Sequence, residues 1–257
     1  MLQIFCDASE IALAKETGLL VLRDDRAHHI RDVLRMKPGE ELAAKAGEDG
    51  AGEYDSLEYR FGIESADKDE VVLRLRFVRD HDTELPVKVS LYQALPKADK
   101  MDLIVQKAVE LGVCEIIPVE SSRCIVKLDD SKKEKRRARW QSIAESAASQ
   151  CGRAFVPAVR GPVPIAEAFA DAEKNADVRV IPYERQEPGS TGNLLKGLAP
   201  GTRIAVFIGP EGGFEEGEIE KAREHGIEPV SLGRRILRTE TAGMAFLSFL
   251  IWLYEVE

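Results

Sequence analysis

The chain has 257 residues, 44% hydrophobic and 32% charged, with a formal net charge of −9; this allows one or two packed domains and excludes collagen-like and wholly disordered readings. The start MLQIFCDASE has no basic stretch followed by an apolar one, and the longest apolar run, Met244 to Tyr254, is broken by Ser248, well short of the roughly 20 residues of a membrane span. A cytoplasmic protein without a membrane partner is expected.

Residues 1–80 read as short strands and turns. Val71, Leu73, Leu75 and Phe77 alternate with Arg74 and Arg76, the period of a half-buried strand. Gly47, Gly50 and Gly52 mark a turn region, and a helix is predicted around His28 to Met36, closed by Lys37-Pro38-Gly39. A small barrel with one helix is the expectation. The polar stretch Arg79 to Pro86 sets a domain boundary, with a second domain over 85–257. There Val87 to Leu95 reads as a strand, and Lys97 to Val113 as a helix with Met101, Ile104, Val105, Ala108 and Leu111 at helical spacing, Asp99 and Gly112 standing at its two ends. A strand over Glu115 to Val119 precedes a basic helix whose Trp140, Ile143, Ala144, Ala147, Ala148 and Cys151 share a face; strands follow at Val178 to Tyr183 and Ile204 to Ile208. Such alternation predicts an α/β fold, a mainly parallel sheet with helices on both sides. The last helix, about Thr241 to Glu255, is apolar on one face through Ala242, Ala245, Phe246, Phe249 and Leu253, and on the other through Met244, Leu247, Ile251 and Trp252. A terminal helix has only one side of its own domain to lean on, so a homodimer is the economical expectation; burial within one chain is the alternative.

Charge is unevenly spread. Glu40 to Glu84 holds 14 acidic and 6 basic residues, whereas Ser121 to Arg160 holds 10 basic and 4 acidic, which permits contact with a polyanion without requiring it. Cys6, Cys114, Cys124 and Cys151 form no CxxC pair and have no histidine at zinc-finger spacing, so reduced thiols and no metal are expected.

Open parallel sheets bind ligands beyond the C-terminal ends of their strands, which singles out three loops. The first holds Pro182, Tyr183 and Glu184. The second, IGPEGGFEEGEI, holds Ile208, Gly209, Pro210, Glu211, Gly212 and Gly213 and runs into a helix that starts with Glu215, Glu216 and Glu218. Its glycines allow close approach of a ligand to the backbone, whereas the acids disfavour phosphate and GxxxxGK is absent, leaving a ligand that is neutral or cationic there; a plain strand-to-helix turn is the alternative. The third, SLGRRILRTETA, holds Leu232, Gly233, Ile236, Leu237, Arg238, Thr239 and Ala242, with three arginines suited to an anion; helix capping by Thr239 or Thr241 beside solvated arginines is the other reading.

IGPEGG and LGRRILRTETA before the final helix, with KMDLIVQKAVELGV, SSRCIVK and RWQSIAESAASQCGR upstream and HHIRDVLRM near the start, resemble the 16S ribosomal RNA uridine N3-methyltransferases of the SPOUT superfamily of knotted methyltransferases. The resemblance covers nearly the whole chain. It implies a PUA-like N-terminal barrel for RNA recognition, a C-terminal α/β domain with a deep trefoil knot, a homodimer, and S-adenosylmethionine as donor of a methyl group to small-subunit rRNA. The three loops then become the cofactor-binding segments. Arg238 is the candidate for stabilising charge on the uracil carbonyls and Glu240 for accepting the N3 proton, with pairing of Glu240 to an arginine as the alternative. Arg31, Arg35, Arg123, Lys127, Arg136, Arg137 and Arg153 are the candidate RNA contacts. At Gln3 the sequence departs from the family, which usually carries an arginine just before the first aromatic. A knotted methyltransferase of another RNA site and a non-catalytic ribosome-assembly factor are the alternatives.

Overall fold

The computed structural model describes residues 2–47, 54–186 and 191–256; Gly50 and Gly52 of the predicted turn lie outside them. The chain packs as two units, residues 1–84 with 148–156, and 85–147 with 157–257.

In the first unit β1 (Gln3–Cys6), α1 (Ala8–Thr17), β2 (Leu19–Leu22) and α2 (Asp25–His28) lead into a π-helical turn over His29–Val33, followed by β3 (Glu41–Ala46), β4 (Leu57–Ala66) and β5 (Val71–Asp80). The strands form one sheet in the order β1-β3-β4-β5-β2, with β1 and β3 parallel and the other pairs antiparallel. Leu20, Leu22, Leu42, Tyr59, Phe61, Ile63, Val71 and Leu73 make its core with Ile11 of α1 and Ile30. Two helical segments stand where one was predicted. The missed α1 carries a readable signal, since the Glu10 carboxylate accepts the Asp7 N–H at 3.0 Å and Gly18 closes the helix at φ +76, a D-x-x-E start with a glycine stop. The predicted helix ends before Met36, with Arg35 at φ +55. Phe77 departs from the alternation as well. The ladder pairs Phe61 with Leu75 and then Arg60 with Phe77, so a bulge at Arg76 flips Phe77 to the side of Arg60, away from the core.

The second unit contains β6 (Lys88–Ala94), α3 (Lys100–Glu110), β7 (Glu115–Glu120), α4 (Asp130–Cys151), β8 (Ala158–Val159), β9 (Val163–Pro164), α5 (Ile165–Asn175), β10 (Val178–Pro182), α6 (Thr191–Leu195), β11 (Arg203–Ile208), α7 (Glu216–Glu224), β12 (Glu228–Val230) and α8 (Thr239–Ile251), the last continuing as a π-helical turn over Trp252–Val256. All its strands pair in parallel, in the order β12-β10-β11-β6-β7-β8, with β9 also on β7. β11 is buried from Ile204 to Ile208, as a parallel strand covered on both faces must be. On one face Tyr92 stacks on Phe207 at 4.4 Å, with Phe169 edge-on at 5.2 Å, above Ala168 and Ala172 of α5 and Ile219 and Ala222 of α7. Across the sheet α8 lies against α3 and β11. The chain thus leaves β11, passes outside β10 to make β12, and returns to lay α8 beside β11.

α4 buries Trp140, Ala144, Ala147 and Ala148, a stripe at helical spacing, but Cys151, predicted on the same face, is exposed. From Ala148 the chain belongs to the first unit, an exchange within 85–257 that the domain reading did not contain. Arg153 is only 3% exposed. Its Nε lies 2.8 Å from both carboxylate oxygens of Glu84, which also accepts the Ala154 N–H at 2.8 Å, while Gln3 donates its amide to the Arg153 carbonyl at 2.8 Å. Arg153 is therefore a buried ion-pair partner and not a surface contact for RNA phosphate. Gln3 thus holds the backbone of that pair.

Asp171 accepts the Tyr92 hydroxyl at 2.7 Å and Arg160 Nη1 at 2.8 Å. Burial pushes its carboxyl up, but these two hydrogen bonds and the Arg160 charge outweigh it and hold the group below 3.8. A lowered native pKa contributes stability above the unfolded value, lost as pH falls through the native one. Asp171→Asn is accordingly less stable than wild type in urea titrations at pH 7, and the difference closes as pH drops below 3.8. Among the cysteines, burial pushes the Cys6 thiol up to about 12 and Cys151 is exposed. Native-state iodoacetamide labelling read by peptide mapping modifies Cys151 first and leaves Cys6 unmodified until the protein unfolds.

Candidate active site

Because β10 lies between β12 and β11, the loops leaving the C-terminal ends of these three strands are neighbours. Together they enclose a cleft of about 560 Å³, within the usual size of a small-ligand site. All sixteen residues predicted at the ligand line it: Pro182 to Glu184, Ile208 to Gly213, Leu232 and Gly233, Ile236 to Thr239, and Ala242. Phe214 and Ser231 also line it and were not singled out, and Arg234 and Arg235, two of the three arginines read as suited to an anion, line it beside Arg238.

The loops are built to tight tolerances. Gly213 sits at φ +68 and donates its N–H to the Pro210 carbonyl at 2.9 Å, a turn that excludes most side chains. A Cβ at Gly209 would meet the Phe214 ring at 3.2 Å, and one at Gly213 would reach the Glu184 carboxylate at 3.5 Å. Glycine here leaves the backbone bare toward the cleft. Thr239, at the start of α8, donates its hydroxyl to the Gly209 carbonyl at 2.6 Å and accepts the Gln93 side-chain amide at 2.9 Å. Gln93 is fully buried at the end of β6, and no local pattern pairs it with Thr239. Thr191 in turn donates its hydroxyl to the Ser231 carbonyl at 2.9 Å, fixing the start of the third loop.

Charge is segregated within the site. Arg234, Arg235 and Arg238 are exposed and make no ion pair among the described residues, and Ile236 between them is 84% exposed. On the other side the Lys100 ammonium stands 3.0 Å from Glu211 Oε1 and 3.2 Å from Glu240 Oε2. The hydrogen bond to Glu211 is the main cause holding the Lys100 ammonium above its ordinary pKa. Burial would raise the Glu211 carboxyl, but its backbone and Lys100 hydrogen bonds keep it low. Glu240 is not one of the residues lining the cleft. Its partner is this lysine and not the arginine of the alternative reading.

The candidate RNA contacts fall on different elements. Arg35 and Lys127 are exposed. Arg31 is tied to Asp32 and to the Asp67 carbonyl, Arg136 lies 4.0 Å from Asp99, and Arg137 pairs with Glu134 at 2.7 Å. Arg123 instead donates to the Gly212 carbonyl at 2.7 Å. Among the described residues no cluster of three potential metal ligands occurs, and no helix is long and apolar enough to cross a membrane.

Comparison with known proteins agrees with this geometry. Residues 83–251 match the family described as RNA methyltransferase domain, and residues 22–76 the RNA methyltransferase PUA domain. The chain is 34% identical over 246 residues to the ribosomal RNA small subunit methyltransferase E of Bacillus subtilis, covering 94% of this chain and 93% of that protein. It is 30% identical over 236 residues to that of Aquifex aeolicus, covering 91% and 94%. The crystal structure of the Neisseria gonorrhoeae ribosomal RNA small subunit methyltransferase E bound to S-adenosyl methionine superposes with a TM-score of 0.82 at 30% identity, covering 99% of this chain and 98% of that one. A PUA-like β domain followed by a SPOUT-like, mainly parallel α/β domain is the architecture on which sequence and structure agree, and the chain belongs to the ribosomal RNA small subunit methyltransferase E family.

Proposed function

We propose that this protein transfers a methyl group from S-adenosylmethionine to N3 of a uridine in 16S rRNA of the small ribosomal subunit, in the cytoplasm and as a homodimer. The observation that carries the reading is the three-loop cleft at the C-terminal ends of β10, β11 and β12, with its glycine backbone and apolar side chains. These features suit the cofactor. A Cβ at Gly209 would crowd Phe214 and one at Gly213 would touch Glu184, Ile208, Leu232, Leu237 and Ala242 offer apolar contact to an adenosyl group, and Glu184 supplies negative charge in the lining suited to a cation. When bound, S-adenosylmethionine supplies an electrophilic methyl on a sulfonium.

The chain's own residues have two tasks. They hold the uracil so that N3 faces the methyl in line, and such positioning alone is worth roughly 7–11 kcal/mol. They also accommodate the charge that gathers on the uracil carbonyls as the N3 proton leaves. Arg238 lines the cleft and has no carboxylate partner among the described residues, so its guanidinium is free to donate to those oxygens. Glu240 is held by Lys100 at 3.2 Å, which favours solvent as the proton acceptor. The 1–80 domain and the exposed cations Arg35 and Lys127 serve RNA binding, joined by Arg31, Arg136 and Arg137 when phosphate replaces their surface carboxylates.

The dimer reading rests on the chain end. Phe246, Leu247 and Leu250 are buried within their own unit, but Trp252 stacks on Phe249 at 6.3 Å and stays 46% exposed, beside the half-buried Met244, Ile251 and Leu253. Covering this strip in a second copy removes it from water.

Transfer of labelled methyl from S-adenosylmethionine to small subunits lacking the modification, followed by nucleoside analysis, yields 3-methyluridine; a different methylated nucleoside rejects the target. Arg238→Ala slows single-turnover transfer by about 10²-fold, and an unchanged rate removes it from the mechanism. Sedimentation at micromolar concentration gives a dimer for wild type and a monomer for Trp252→Glu, whereas a monomeric wild type ends the dimer reading.

A further inference from the structure

Two cations outside the cleft grip adjacent residues of its glycine loop. Lys100, in the first turn of α3, is 3.0 Å from Glu211 Oε1, and the Lys97 N–H donates to the same oxygen at 3.1 Å. Arg123, in the loop after β7, donates Nη1 to the Gly212 carbonyl at 2.7 Å and keeps Nε 3.7 Å from the Glu215 carboxylate. A Cβ on Gly212 would stand 3.3 Å from Arg123 Cδ, so the arginine stem packs directly on that glycine. Both cations are themselves held. Ala98, between Lys97 and Lys100, sits at φ +55, a conformation retained only where the surroundings enforce it. The Ser122 N–H and hydroxyl donate to Glu218 Oε1 at 2.8 and 3.0 Å, anchoring the Arg123 loop to the first turn of α7.

Gly212 and Gly213 have no side chains with which to fix themselves, and glycine loses more conformational freedom on ordering than any other residue. Charge-assisted hydrogen bonds to the flanking carboxylate and to the Gly212 carbonyl meet that cost before a ligand arrives. The same ammonium reaches Glu240 at 3.2 Å, so Lys100 ties the glycine loop to the start of α8. We propose that Lys100 and Arg123 are positioning residues that preorganise the Pro210–Gly213 loop for S-adenosylmethionine, Arg123 serving the cofactor and not RNA phosphate. The inference rests on the reading of the cleft as the cofactor site.

The test uses the full-length protein with Lys100→Met, Lys100→Arg, Arg123→Ala and Arg123→Lys. Calorimetric binding of S-adenosylmethionine and steady-state methyl transfer to small subunits are measured, with thermal melting alongside. Loss of one charge-assisted hydrogen bond should raise Kd and KM for the cofactor about tenfold, while kcat at saturating cofactor moves less than about threefold and KM for RNA is unchanged. Lys100→Arg, which keeps a cation between both carboxylates, recovers most of the binding, and Arg123→Lys recovers part. A purely structural role would lower the melting temperature without this split. If Lys100→Met does not fold, Lys100→Gln takes its place. Unchanged cofactor binding in the folded variants that lack the cation overturns the inference, as does a rise in RNA KM for Arg123→Ala with the salt slope smaller by about one, the mark of a lost phosphate contact. A wild type that binds no S-adenosylmethionine overturns the reading of the cleft, and the inference falls with it.

Discussion

The site depends on one hydroxyl. Thr239 donates to the carbonyl of Gly209 and accepts from the amide of Gln93, so a single oxygen joins the end of β6, the end of β11 and the start of α8. Each of these three segments is far from the others in sequence, and each contributes or backs a wall of the cleft. In a low-dielectric interior such a shared hydroxyl is worth making and costly to lose, because its removal takes a donor from the Gly209 carbonyl and leaves the Gln93 amide with only its bond to the Ala94 carbonyl. The parallel sheet brings the strand ends to one level; the threonine sets the spacing between them.

Around that point the protein separates charge by function. Its overall excess is acidic, yet the arginines of the third loop carry no carboxylate partner among the described residues, whereas Lys100 carries two. Unpaired cations are available to an incoming anion, and paired ones serve geometry. The same division explains why counting basic residues misleads. Arg153 and Arg123 look like any other candidate phosphate contact in the sequence, but one is sealed against Glu84 and the other is spent on a backbone carbonyl.

Much of the second unit could be read directly from the sequence, because parallel strands are uninterrupted apolar runs and helices between them carry a clean stripe. The cleft was legible for a related reason: glycine, proline and arginine cluster where strands end, and the resemblance to a known family fixed which loops mattered. The first unit was harder. α1 buries little beyond Ile11 and Ala14, so its apolar pattern is faint and only its caps announce it. Phe77 could not be placed, because a bulge shifts alternation by one residue and leaves no mark in composition. Pairings across long separations, Gln93 with Thr239 or Glu84 with Arg153, follow from the fold as a whole and from nothing local.

The placement of residues 148–156 with the first unit bears on how the molecule is made. Glu84 and the five-stranded sheet emerge from the ribosome well before Arg153, about 70 residues later. Until then the nascent first domain holds a carboxylate at a site destined for burial with no countercharge, a state strongly disfavoured in an apolar interior. Synthesis of the N-terminal segment therefore cannot by itself complete the N-terminal domain. The end of α4 and the residues after it close it, so completion of the first domain waits until residues 85–147 of the second have also been translated.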